Sequence, residues 1–283
     1  MTSAAITRGL VHPGPPALGR RQAARAALRP VAGRLRAGRA IMAEVAALFA
    51  REGCRGGMLE LGGLTCEPFA YVLPALATDG RHAAFYSATH APSGRVRIEA
   101  ATATVGLRDG APFLHCHGRW TGAFGTAMGH LLPLETILAE EAEARGLGTA
   151  EAWFEAEHDA ETNFTLFSAR GGSASRGPAD GLLARLRPGE DVCAAIAALC
   201  AEHGIVTARV HGIGSIFEPS FASGARVPCP ATEVRIDDGR VRAGRAEILA
   251  SLVDVAGQVH SGKLARGANP VGVTFELLIE PAP

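Results

Sequence analysis

Apolar residues recur along this chain at two spacings, and the spacing separates its helices from its strands. Val192, Ile196, Leu199 and Cys200 fall at i, i+4, i+7 and i+8, the stripe of an amphipathic helix. This predicts a helix over 190–203, with Glu190 and Asp191 placed in its first turn where they complement the helix dipole. A matching helix is expected over 41–52, and Gly53 and Gly204 stand just past the two ends as C-cap glycines do. Short apolar or alternating runs predict strands over 57–61, 82–88, 96–103, 113–117, 165–168, 208–213, 233–236, 248–253 and 271–279. Residues 135–145, rich in Glu and Ala, predict a further helix stopped by Gly146-Leu147-Gly148, with a second helical turn over 149–156. One main helix per half among many strands gives an α+β fold: two tandem domains, each a largely antiparallel sheet packed with one main helix.

The halves are copies. Arg34-Leu35-Arg36-Ala37-Gly38 matches Arg185-Leu186-Arg187-Pro188-Gly189, and the register continues ungapped at an offset of 151 residues. Over 34–69 there are 13 identities in 36 positions, among them Gly63 with Gly214 and Glu67-Pro68 with Glu218-Pro219. The small, flexible run Gly171-Gly172-Ser173-Ala174-Ser175-Arg176-Gly177-Pro178 reads as a linker. The expected organisation is a disordered Arg-rich arm over 1–33, a first domain over 34–169, a linker over 170–181 and a second domain over 182–283. The 135–161 segment reads as an insertion in the first repeat. A solvated acidic helix is the expectation for it, and a functional lid the alternative.

Charge narrows the picture. The net charge is zero, but residues 1–33 carry five Arg and no acid, while 34–169 carry 11 basic against 16 acidic residues and 182–283 carry 10 against 11. A nucleic-acid-binding domain normally shows a basic footprint, and here only the arm offers one. That arm reads as a disordered tail, with an organellar transit peptide as the alternative. The six cysteines form no CxxC pair, so nothing requires a disulfide framework and a cytoplasmic protein is expected. No run of 18 apolar residues exists, so no membrane partner is expected. There is no P-loop or dinucleotide fingerprint, and cofactor-binding residues of that kind are not identified.

The chemistry-bearing feature is a histidine cluster. In a strand, His115 and His117 point to one face. A hairpin centred near Ala123-Phe124 would bring His130 opposite His117, with Cβ atoms about 5 Å apart. Three imidazoles with a fourth position open match a catalytic zinc site, and another divalent transition metal would also suit them. The bland alternative is three partly buried polar residues on a sheet.

These segments are familiar. The run Arg-Leu-Arg-Pro-Gly-Glu-Asp before the second helix, the glycine turn at Gly212-Ile213-Gly214-Ser215, His115-Cys116-His117 and Met128-Gly129-His130-Leu131 resemble motifs of the PPC (plants and prokaryotes conserved) domain. The resemblance covers both halves. It implies an antiparallel sheet with a packed helix, assembly as a homo-oligomer with a trimer favoured over a dimer, and His115, His117 and His130 as metal ligands. Plant members pair the domain with an AT-hook, whence the family's DNA-binding label, but the Arg-Gly-Arg-Pro core of that element is missing here. In the second repeat Lys263 stands where the motif has its third histidine, and Leu249 and Ser251, or their neighbours, replace the His-x-His pair. The second repeat is therefore expected to keep the fold without the metal.

Three readings of function follow. The first is an oligomeric metal-binding protein, with hydrolysis or hydration of a small molecule as its chemistry. Glu135 is the weak candidate for its general base, and Glu60 and Glu67 are weaker ones. The second is DNA association through the arm, and the third a structural or assembly module.

Overall fold

A computed structural model of the chain describes residues 9–171 and 180–282. The chain runs through β1 (Arg21–Arg25), β2 (Arg29–Leu35), α1 (Ile41–Arg51), β3 (Gly56–Glu60), β4 (Leu64–Cys66), β5 (Tyr71–Val72), β6 (Pro74–Leu76) and β7 (Ala84–Tyr86). It continues with β8 (Val96–Arg108), β9 (Ala111–Gly122), β10 (Gly125–Leu131), β11 (Ala142–Thr149), β12 (Ala152–His158) and β13 (Thr165–Gly171). The second half holds β14 (Leu182–Leu186), α2 (Val192–Glu202), β15 (Thr207–Ile216), β16 (Glu233–Arg242), β17 (Arg245–Val253), β18 (Val259–Lys263) and β19 (Val271–Pro281).

Sheet order makes the duplication visible. The first sheet runs β2-β11-β3-β8-β9-β10 before ending on β5; the second runs β14-β19-β15-β16-β17-β18. Position by position these are the same path. The pairings along both are antiparallel, while β12 joins β8 in parallel. Each helix lies on its own sheet. Ile41, Val45, Leu48 and Phe49 of α1 enter one core; Val192, Ile196, Leu199 and Cys200 of α2 enter the other. Asp191 caps α2 by accepting from the Ala194 amide, whereas Ala40 gives α1 no side-chain cap.

Four expectations about residues 135–161 are corrected. Residues 135–145 are not a helix: isolated bridges from Ile137 to Ala40 and from Leu138 to Cys66 lead into β11, which fills the gap between β2 and β3. Helix propensity loses there to the sheet's need for a closing strand. The glycines read as a helix stop serve close approach instead, since a Cβ on Gly146 would lie 2.1 Å from the Met58 carbonyl oxygen. Because β11 is the counterpart of β19, this stretch is part of the repeat rather than an insertion. Residues 149–156 likewise form no helical turn: Thr149 ends β11 and 152–156 lie in strand β12.

The arm is corrected too. Residues 1–8 and 172–179 lie outside the described residues, but 21–35 form two strands. β2 opens the first sheet, while β1 crosses to the second and pairs with β14, Arg21 opposite Leu186. Two of the arginines that suggested a solvated arm are engaged by acids: Arg20 with Glu161 at 2.7 Å and Arg21 with Glu202 at 2.8 Å.

The halves pack sheet to sheet, β8, β9 and β10 facing β15, β16 and β17. A third core joins them: Met58, Phe154 and Phe167 from the first half, Leu183 and Leu278 from the second, Ala24 and Ala26 from the crossing segment. Beside it a buried ion cluster spans the halves. Arg185, with 0% side-chain exposure, donates to Asp159 at 2.9 Å, to Thr274 at 3.1 Å and to Ser168 at 3.3 Å, and Arg187 reaches the same carboxylate at 2.5 Å. Burial pushes the Asp159 carboxyl up, but Arg185, the Thr162 amide and Arg187 outweigh it and hold it at about 2, against 3.8 ordinarily.

The folded pKa of Asp159 therefore lies below the unfolded one. Its contribution is fully present above about pH 4 and fades as pH falls through about 2, a loss of about 2 kcal/mol from this group. Asp159→Asn should abolish that pH dependence. By leaving Arg185 buried without its carboxylate, it should also cost about 3–5 kcal/mol at neutral pH. Denaturant unfolding of both proteins between pH 2 and 7 checks this, and superimposable curves would contradict it.

Candidate metal centre

The β9–β10 hairpin builds the cluster. Gly122 and Gly125 close a tight turn, and the register that follows sets His130 opposite His117. His115 and His117 share a face of β9, opposite Thr104 and Thr102 of β8. Strand β5 closes the other side, with Val72 opposite His130. Gly129 permits that approach, because a Cβ there would lie 2.5 Å from the Val72 carbonyl oxygen. One ligand nitrogen from each of His115, His117 and His130 falls within 4.8 Å of the others.

The second half completes the surroundings. Glu276 on β19, 1% exposed, takes the His115 Nδ1 between its two oxygens at 2.8 and 2.9 Å. The His117 Nδ1 donates to the Val234 carbonyl of β16 at 3.0 Å. With both Nδ1 atoms donating, the neutral tautomers leave a lone pair on each Nε2. Those two Nε2 atoms face each other at 2.9 Å, and Glu233 Oε2 lies 2.8 Å from that of His117. Two lone pairs at that distance repel unless a cation, a proton or a metal ion, sits between them. The buried His130 Nδ1 has no hydrogen-bond partner, as a nitrogen reserved for a metal would not. These donors fit a transition ion. Each of two ligands has its far nitrogen held by a carboxylate or a carbonyl, the arrangement that fixes metal-ligating imidazoles.

Electrostatics divide the three rings. Burial pushes His115 down, but the carboxylates of Glu276 and Glu233 overcome it and raise its pKa above the ordinary value. His130 is held well below it, first by burial and then by repulsion from His115 and His117, so it stays neutral.

Other candidates stand elsewhere. Glu135 is exposed in the turn after β10, and the carboxylates that meet the histidines are Glu233 and Glu276. Glu60 is tied to Thr102 and Arg235, and Glu67 pairs loosely with Arg95 at 3.9 Å. In the second half, counting from the turn joining β16 to β17, Leu249 and Ser251 take the places of His115 and His117. Across from Ser251 is Ser261, while Lys263 lies two pairs further on, opposite Leu249 and bonded to Glu247 at 3.0 Å. His260 is bound to Asp254 at 2.9 Å, and His211 lies 3.8 Å from Glu280. Glu276 escaped the sequence reading, although a lone acid inside the apolar run 271–279 was the signal that it needed a partner.

No family model matches the chain, and no curated protein matches it. Solved structures do. A plant- and prokaryote-conserved (PPC) protein from Pyrococcus horikoshii is 18% identical and covers 50% of this chain and 91% of its own, with a TM-score of 0.40. A metal-containing protein from Archaeoglobus fulgidus is 16% identical, covers 49% and 92%, and has a TM-score of 0.39. A candidate DNA-binding protein from Ralstonia eutropha is 19% identical, covers 48% and 89%, and has a TM-score of 0.35. Each of these solved structures matches about half of this chain.

Proposed function

We propose that this is a tandem PPC-like protein holding one transition metal per chain on His115, His117 and His130, with the second half bracing that centre and a small molecule as its ligand. The observation that carries this is the meeting of two Nε2 atoms at 2.9 Å, each ring with its Nδ1 held by an acceptor, beside a third imidazole whose buried Nδ1 is unpartnered. A divalent ion such as zinc, held by three imidazoles, supplies Lewis acidity and an open coordination position. The chain's own residues hold it ready. Glu276 fixes the His115 tautomer, the Val234 carbonyl fixes that of His117, and burial keeps His130 uncharged. The six cysteines are free and buried, which supports a reducing cytoplasmic setting, and no helix among the described residues is long and apolar enough to cross a membrane. The family resemblance supports a homotrimer, whose mass light scattering on the intact chain would read.

Elemental analysis of purified protein should find close to one transition metal per chain, and His115→Ala/His117→Ala should lose it. A native protein free of metal sinks the reading. Glu276→Gln should keep the metal but bind it about 10–100-fold more weakly in a chelator competition.

The competing reading is DNA association, which the resemblance brings with it. Against it, Arg20, Arg21, Arg34 and Arg36 are already paired with acids of the chain. An electrophoretic shift assay at about 0.15 M salt should show no binding by the full-length protein. A shift that disappears on removal of residues 1–20 would restore the DNA reading and assign it to that segment.

A further inference from the structure

A cavity of about 50 Å³ is lined by His115 and His117, and one of its walls comes from near the start of the chain, at Leu10. Residues 9–20 lie in no helix or strand, yet they follow a definite course. Leu10, His12 and Gly14 are half-buried, while Val11, Pro13, Pro15 and Pro16 face solvent. The segment is fastened to both halves. His12 donates through Nε2 to the carbonyl of Gly272 on β19, at 2.8 Å, and Gly272 also lines the cavity. The Gly14 amide donates to the Glu161 carbonyl at 3.0 Å. The Glu161 carboxylate, 5% exposed, accepts from the Ala17 amide at 3.2 Å and from Arg20 at 2.7 Å. A buried carboxylate thus anchors 17–20, while His12 and Gly14 tie down the stretch before it. Pro13, Pro15 and Pro16 have no N–H, so lifting that stretch strips no donor there of a partner. A segment outside the sheets, tied by a few bonds, opens more readily than the cores beneath it. Its seat is nevertheless tight. A Cβ on Gly14 would lie 1.8 Å from the Ala160 carbonyl oxygen, backbone that cannot give way, whereas one on Gly19 would meet nothing within 4 Å.

We propose that residues 9–16 form a strap whose lifting, about the anchored Ala17 and Arg20, controls entry to the cavity beside the histidines. The cavity's role in binding rests on the metal-site reading, but the test of the strap reads access alone. Ala231, 4% exposed, lines the same cavity, so Ala231→Cys places a reporter thiol there. The probe is iodoacetamide, with labelling followed cysteine by cysteine by peptide mass mapping. A buried thiol is labelled in proportion to the population of the open state, so Gly14→Ala, which unseats the strap, should speed labelling at 231 by at least about tenfold. A chain lacking residues 1–16 should show the same gain, and Gly19→Ala should show none. Cys193 and Cys200, buried in the core around α2, report global unfolding in the same samples and should keep their rates. An unchanged rate at 231 in Gly14→Ala or in the shortened chain overturns the proposal. So does an equal gain in Gly19→Ala, an equal gain at Cys193 and Cys200, or labelling at 231 as fast as that of an exposed thiol while the strap is intact. Metal analysis of the unlabelled protein tests the metal reading separately, so the failure of one is not mistaken for failure of the other.

Discussion

Glu276 has almost no water to solvate it. At 1% exposure its carboxylate is tolerable only because the His115 ring, which belongs to the other half, donates to it. That one contact fixes how far β19 sits from β9, and with it the seats of the Val234 carbonyl and of Glu233 over His117. The interface and the candidate site are therefore one construction. The apolar core of Met58, Phe154, Phe167, Leu183 and Leu278 supplies adhesion without direction, while Glu276 to His115 and Asp159 to Arg185 supply direction.

The duplication has divided labour between its copies. Both halves keep the same six-strand path and the same helix, but among the described residues only β9 and β10 bring three imidazoles together. On the matching strands, Leu249, Ser251, Ser261 and Lys263 have no common chemistry with them. What the second half contributes comes from other strands, β16 and β19. It contributes acceptors, a carbonyl and two carboxylates, where the first half contributes nitrogens. Ligands from one copy and their orienting groups from the other make a centre that neither copy contains.

How much of this the sequence disclosed depends on the range of the interaction. The two helices, the strands they lead into and the pairing of His130 with His117 follow from local periodicity and a glycine turn, and all were legible. The strand identity of 142–149 was not, because alanine and glutamate favour a helix in isolation and only the vacancy between β2 and β3 makes the segment extend. The repeated Arg-Leu-Arg shows the same limit. Arg34 is 69% exposed beside Glu141, whereas its copy Arg185 is fully buried on Asp159. Equal residues in equal strands met different surroundings, since β12 and β13 have no counterpart in the second half. Glu135 was chosen for closeness in sequence to His130, and the acids that reach the cluster lie more than a hundred residues away.

The crossing of β1 has a consequence for how the protein is made. Residues 21–25 leave the ribosome early, yet their partners are residues 182–186. Throughout synthesis of the first half this segment waits without its sheet. The second sheet, in turn, has an open edge at β14 until the waiting segment arrives. The chain thus keeps a plug for its own last-formed edge. An unpaired strand that could recruit another molecule is closed by one already tethered nearby, and the two halves are fastened together by the backbone itself rather than by the linker alone.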